Sequence, residues 1–258
     1  MLRKRIIFSL IYSDGYFNQS RNFRLQKVGD LKWLENNYGF TKIAYSLDEL
    51  IIIDATKEKK NIINFGKTIE GIVENVFIPI CAGGGINKIA DAEILFKSGA
   101  DKILINSAIN ENPLLIKELI HNYGSQSIVA SIDFKFVQNE FKAYISNGTK
   151  QVTTDLNNYL KNVQDLGVGE IYLNSIDRDG TGFGYDLKTI NNLANFIKIP
   201  LIIAGGAGNE KHLLEGLNIN EVSAVATANL FNFIGEGLPN ARQYILNNKQ
   251  NISNRINL

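Results

Sequence analysis

Cysteine is nearly absent from the 258-residue chain: Cys81 stands alone, so no disulfide can form within it. With two histidines beside that single thiol, the ligand set of a usual zinc site is lacking, and no metal centre is expected. An excess of either charge is lacking too. Lys and Arg number 27 against 26 Asp and Glu, a formal net charge of +1, so no global field draws in nucleic acid or an anionic membrane. Any phosphate binding must be local. There is no long apolar run: the basic start has a short hydrophobic stretch broken by Ser13 and Asp14, with no small-residue cleavage pattern. The GxxxxGK[ST] loop of many ATP-using enzymes is absent as well. Together these absences predict a chain of the reducing cytoplasm, without nucleic-acid or membrane partners and without a metal or other cofactor. What is present is ordinary for a globular protein: 45% hydrophobic, 21% charged, mean hydropathy −0.07. A chain this long buries an ample core without crosslinks.

Eight short β-branched runs recur: Arg5 to Leu10, Glu49 to Ile53, Phe77 to Ala82, Lys102 to Asn106, Ser127 to Ile132, Glu170 to Asn174, Leu201 to Ala204 and Ser223 to Ala226. Each is almost continuously apolar, the pattern of parallel strands buried on both faces. Between them lie stretches with helical spacing, such as Ile62, Ile63, Ile69, Ile72 and Val73, or Leu115, Ile116, Leu119 and Ile120. Strand then helix, eight times over in a chain of this length, predicts a single α/β domain across residues 1–258, a (β/α)8 barrel rather than an open doubly wound sheet. Two stretches depart from the rhythm. Ser13 to Asp30 reads as a long loop after the first strand; Phe134 to Thr153, with its alternating FVQNEFKAYIS and Asn147-Gly148, reads as an extra hairpin after the fifth.

The two halves resemble each other. IPICAGGGI, from Ile78, matches IPLIIAGGA, from Ile199, which sets Gly84 and Gly85 opposite Gly205 and Gly206 at an offset of 121 residues. The same offset relates Glu49 to Glu170, so a half-barrel repeat is predicted. Glycines after a strand let backbone N–H groups approach an anion, and a following helix N-terminus adds partial positive charge. Gly83, Gly84 and Gly85 follow the third strand, with Asn106 and Ser107 at the end of the fourth; Gly205 and Gly206 follow the seventh, with Ala228 and Asn229 just after the eighth. One such cluster reads equally as a tight strand-to-helix turn. Two related by a repeat point to a bisphosphorylated small molecule lying across the barrel mouth, where the loops after strands carry the active site.

In order, and over essentially the whole chain, RKRII, VFIPICAGGG, GADKILINSA, GSQSIV, GVGEIYLNSIDRDGT, GYD and AGGAGN resemble the cyclase subunit of imidazole glycerol phosphate synthase, the HisF family. The resemblance implies a barrel that receives ammonia from a HisH-like glutaminase docked at its floor. At the mouth it uses that ammonia to cleave and cyclise a bisphosphorylated ribonucleotide. The family's two catalytic aspartates follow the first and fifth strands. VASIDFK supplies the second as Asp133, but the first segment reads Ser9, Leu10, Ile11, so Ile11 stands where the first carboxylate belongs. A lysine farther along that loop is replaced by Gln19, while Asp14 matches a separate aspartate of the pattern. At the floor, the charged ring that gates ammonia in the family is matched by Arg5, Glu49, Lys102 and Glu170. The bland reading of those four is an ion-pair plug, although buried ion pairs seldom outdo apolar packing. Asp101 matches a residue facing the glutaminase. Asp54, Asp177 and Asp179 persist at the top, each serving equally well as a loop cap or a ligand contact, while Asn174 replaces the threonine common there in the family. His121 and His212 read as surface residues, Cys81 as core and Trp33 as packing.

Three functions follow. In the first, a relative of the cyclase takes ammonia from a glutaminase and supports conversion of an acetamido to an acetamidino group on a sugar nucleotide in surface-polysaccharide biosynthesis. Activating the amide oxygen consumes ATP, so a separate ATP-dependent sugar amidotransferase is then a further partner. The second is the lyase and cyclase of histidine biosynthesis itself. The third is a non-catalytic subunit that activates its glutaminase.

Overall fold

Period-two alternation sorts each barrel strand into two cores. On β1 (Arg5–Ser13), Ile6, Phe8 and Leu10 pack outward against helices, while Ile7 points into the barrel with Ile51, Cys81, Leu104, Val129, Tyr172 and Ile202 of other strands. Burial on both faces is why the strands read as continuous apolar runs. The computed structural model describes residues 3–38 and 45–254. After β1 come β2 (Tyr16–Arg21), β3 (Arg24–Gly29) and α1 (Leu31–Tyr38), then β4 (Glu49–Asp54) with α2 (Ile62–Val73) and β5 (Ile80–Gly83) with α3 (Ile89–Lys97). β6 (Lys102–Ile105) leads into α4 (Ser107–Glu111) and α5 (Pro113–Tyr123). The second half runs β7 (Ile128–Val137), β8 (Glu140–Ile145), β9 (Lys150–Gln151), α6 (Leu156–Asp165), β10 (Glu170–Ser175) and α7 (Leu187–Ala194). It ends with β11 (Leu201–Ala204), α8 (Glu210–Leu217), β12 (Val222–Thr227) and α9 (Gly237–Asn247).

Strands β1, β4, β5, β6, β7, β10, β11 and β12 pair in parallel in that order, and β12 returns to β1, closing a (β/α)8 barrel. Polar caps start the helices: Asn61, Asp155, Asp186 and Asn209 each accept a hydrogen bond from the backbone N–H three residues on. Behind each cap an apolar stripe seats the helix, as with Phe65, Ile69 and Ile72 on α2 or Leu156, Leu160 and Val163 on α6.

The segment after the first strand is ordered differently from the expected loop. Asp14 and Gly15, both at positive φ, make a two-residue turn that folds β2 antiparallel onto β1, and Asn22 and Phe23 make a second such turn into β3. Asp-Gly is a strong hairpin signal; Asn-Phe is not, because phenylalanine rarely adopts positive φ. The predicted hairpin after the fifth strand is present as the end of β7 with β8 and β9. The third strand starts later than its apolar run suggests, at Ile80, leaving Phe77 exposed below the barrel.

Candidate active site

A cavity of about 740 Å³ opens at the C-terminal ends of the strands. Its walls bring together Asp133, Asn174, Asp179, Asp54 and Ile11 with both glycine turns and their partners Asn106, Ser107, Ala228 and Asn229. The turns share one conformation: Gly84 and Gly85 have φ of 106° and 80°, Gly205 and Gly206 of 91° and 109°. A methyl on Gly84 would come within 2.2 Å of the Asp54 carbonyl, and one on Gly205 within 2.6 Å of the Ser175 carbonyl, the equivalent position in the other half. Only glycine tolerates that φ and that approach. β5 and β11, which carry the two turns, lie four strands apart in a ring of eight, directly across the mouth. The helix N-termini contribute less than expected: Asp91 accepts from the N–H groups of Asn87 and Lys88 before α3, and Asn209 caps α8, so the donors nearest the cavity belong to the turns.

β1 and β7 are also diametrically opposed, and their ends place Ile11 and Asp133 on the wall of the same cavity. Asp133 pairs with Asn174 on β10, and Ile11 pairs with Ile53 on β4, with Asn174 and Ile53 again 121 residues apart. One half therefore holds a carboxylate with an amide, and the other two isoleucines. Asp133 is buried, accepting 3.2 Å bonds from Asn106 Nδ2 and Asn174 Nδ2. Burial pushes its carboxyl up to about 7, against the bond from Asn174 and with help from the Asp179 charge. A carboxyl near neutrality can both take and give a proton at working pH.

That shift has a stability consequence. Folded Asp133 keeps its proton to about pH 7, whereas the unfolded chain releases it near 4. Stability present below the unfolded value is thus lost as pH rises through the folded one. The difference in melting temperature between Asp133→Asn and the unaltered chain should move in the variant's favour by several degrees between about pH 5 and pH 8, since each kcal/mol is worth about 2–4 °C in a protein this size. Parallel melting curves across that range would contradict the assignment.

The other expected side chains are engaged locally. Asp179 Oδ2 accepts from Ser20 Oγ and, at 3.0 Å, from the Phe23 N–H, pinning the β2–β3 turn over the mouth. Asp54 Oδ1 caps the Thr56 N–H at 2.9 Å, Asp177 accepts from the Phe136 N–H, and Gln19 Oε1 accepts from the Leu230 N–H. Phe23 meets Gly148 from the opposite hairpin, so the two insertions touch above the cavity. Two wall residues escaped the sequence reading. Lys60 donates from Nζ to the Asp54 carbonyl and lies over Gly85, and Tyr172 reaches inward from β10. One sits in a charged run and the other in a strand, which gave no signal to single them out.

At the floor, Arg5, Glu49, Lys102 and Glu170 open their four strands and form one alternating ring. Arg5 Nη1 lies 2.6 Å from Glu49 and its Nη2 contacts Glu170, while Lys102 Nζ lies 3.1 Å from both glutamates. Burial raises the Glu49 carboxyl despite Lys102 and Arg5; Lys102, though burial disfavours its charge, is raised by Glu49 and Glu170. The glutamates are buried and the cations about one-fifth exposed at the barrel's underside. Asp101 is exposed there, its Oδ2 accepting from the Ile80 N–H. Among the described residues no group of three or more His, Cys, Asp or Glu is placed to hold a metal, and no helix is long and apolar enough to cross a membrane.

Residues 41–235 match the family model described as histidine biosynthesis protein. A protein of Parasynechococcus marenigrum (strain WH8102), provisionally named imidazole glycerol phosphate synthase subunit hisF2, is 44% identical over 243 residues, 94% of this chain and 90% of its own. The imidazole glycerol phosphate synthase subunit HisF of Hydrogenobaculum sp. (strain Y04AAS1) is 38% identical over 257 residues, 98% of this chain and 99% of its own. That of Bacteroides thetaiotaomicron (strain ATCC 29148) is 34% identical over 246 residues, 95% of this chain and 96% of its own. A closed barrel with paired glycine turns, matched along nearly its whole length by these relatives, places the chain in the histidine biosynthesis protein family, where it belongs to the HisF subunits of imidazole glycerol phosphate synthase.

Proposed function

We propose that the chain is the ammonia-receiving subunit of a glutamine-dependent synthase in which histidine-pathway cyclisation has been given up. A HisH-like glutaminase docks on the floor, ammonia passes the Arg5, Glu49, Lys102 and Glu170 ring and the apolar bore, and a phosphorylated ligand bridges the two glycine turns at the mouth. In this reading the ammonia supports amidino-group formation on a sugar nucleotide, the ATP-using step belonging to a separate amidotransferase in the same cytoplasm. The observation that carries it is the pairing of Ile11 with Ile53 where the other half has Asp133 with Asn174. Cyclisation needs a proton taken and a proton given on opposite sides of the substrate, and isoleucine does neither.

The histidine-pathway cyclase is the second reading, favoured by Asp133 itself: its carboxyl lies at about 7, fit for either proton task. Both readings need the floor ring. In complex with the glutaminase, Lys102→Met should lower glutamine-driven product formation on the order of tenfold while ammonium-driven formation and folding stay near normal. Unchanged glutamine coupling would remove the ammonia route.

A further inference from the structure

Among the buried residues that pack inside the barrel, Tyr172 has the largest side chain. Tyr172 stands two residues above Glu170 and two below Asn174, buried, with its hydroxyl 3.3 Å from Ser9 Oγ on β1. β10 and β1 are not neighbours: β11 and β12 lie between them, so the ring spans three of the barrel's eight strand intervals. On those two strands the same internal cluster holds Ile202, the register partner of Tyr172, with Ala204, Ala224 and Ala226, and the three small side chains leave width for the ring. Its axial position follows from its surroundings. Burial pushes the Cys81 thiol well up, with Glu49 and Glu170 adding and Lys102 and Arg5 opposing, and Cys81 and Asp133 both act on the Tyr172 hydroxyl. On β7 the register partner of Tyr172, Ser131, stands two residues below Asp133, while Cys81 pairs with Lys102 of the floor ring; Tyr172 thus lies between Cys81 and Asp133, with one side on the mouth cavity.

We propose that Tyr172 is a bolt across the bore: latched on Ser9 it separates the lower bore from the mouth, and swung into the cavity it opens a path for a molecule the size of ammonia. Opening breaks one bond between two neutral hydroxyls, and the ring turns into open space instead of packed core. That ammonia uses the path rests on the proposed function; that Tyr172 closes it does not.

Cys81 reports on the bolt because it is the chain's single thiol and lies fully buried beneath the ring. Its rate of modification by methyl methanethiosulfonate would be followed under native conditions, where a buried thiol reacts only through openings of the structure. Tyr172→Ala should label about tenfold faster or more than the unaltered chain, by local opening. Tyr172→Phe and Ser9→Ala, which keep the ring but lose the latch, should each label faster by a smaller factor. Low concentrations of urea should leave these rates unchanged, which separates local opening from global unfolding. Should Tyr172→Ala fold poorly, the two latch variants decide the matter. Labelling at the unaltered rate in well-folded variants would overturn the bolt. The assay needs neither glutaminase nor substrate, so a failed ammonia route, seen with Lys102→Met, leaves its outcome intact.

Discussion

Replacing Ile11 by aspartate is expected to raise ammonium-driven turnover of the histidine-pathway ribonucleotide by on the order of 10² to 10⁴, the range in which one positioned acid or base contributes. Ile11 lies on the cavity wall at the end of β1, on the strand diametrically opposed to β7, and its pairing partner occupies the repeat position of Asn174. On the proposed reading a carboxylate there stands across the mouth from Asp133, with the two glycine turns on the remaining sides. Aspartate is smaller than isoleucine and the position is only half-buried, so the change introduces no overpacking. Ile11→Asn, of the same shape without the proton chemistry, should give no gain. A gain from both variants would show that the isoleucine merely obstructs the substrate.

The second large effect falls on stability. Arg242 of α9 is fully buried, and all five of its N–H donors are used. Nη1 and Nη2 bond Asp48 at 3.2 and 2.9 Å, Nη1 also bonds the Ser46 carbonyl, and Nε and Nη2 bond the Ser253 carbonyl. Asp48 in turn accepts from the Ile6 N–H at 2.8 Å, so one guanidinium ties the last helix and the tail to the strand that begins the barrel. Arg242→Leu should cost about 3–5 kcal/mol, as removal of one partner from a buried charge pair does. That corresponds to a fall in melting temperature of roughly 6–20 °C. Adding Asp48→Leu should recover part of the loss, because the leftover buried charge goes with it. A single variant within about 1 kcal/mol of the parent would show that the network adds little beyond packing.

The barrel was legible because its strands bury both faces and so appear as uninterrupted apolar runs. The repeat at 121 residues carried the glycine turns and, through Glu49 and Glu170, the register of the floor. Much of the rest depended on contacts distant in sequence. The β2–β3 hairpin was half-legible: Asp14-Gly15 announced the first turn, but Asn22-Phe23 disguised the second. Asp54 and Asp179 looked alike as candidate ligand contacts, and only the folded chain shows each also tied into a loop, one to Thr56 and the other to Ser20 and Phe23. Tyr172 reads as one more strand aromatic until three strand intervals bring Ser9 to it. Arg242 gives no local sign that its helix turns it inward.

The central claim is that this barrel binds the bisphosphorylated ligand of its family while lacking the second proton-transfer group that cyclisation needs. It is tested most directly by giving the unaltered chain the histidine-pathway ribonucleotide with saturating ammonium salt and following binding and turnover together. The account predicts binding without turnover. Turnover at a rate ordinary for a cyclase would contradict it, and would make Asp133 the proton carrier on both sides of the reaction.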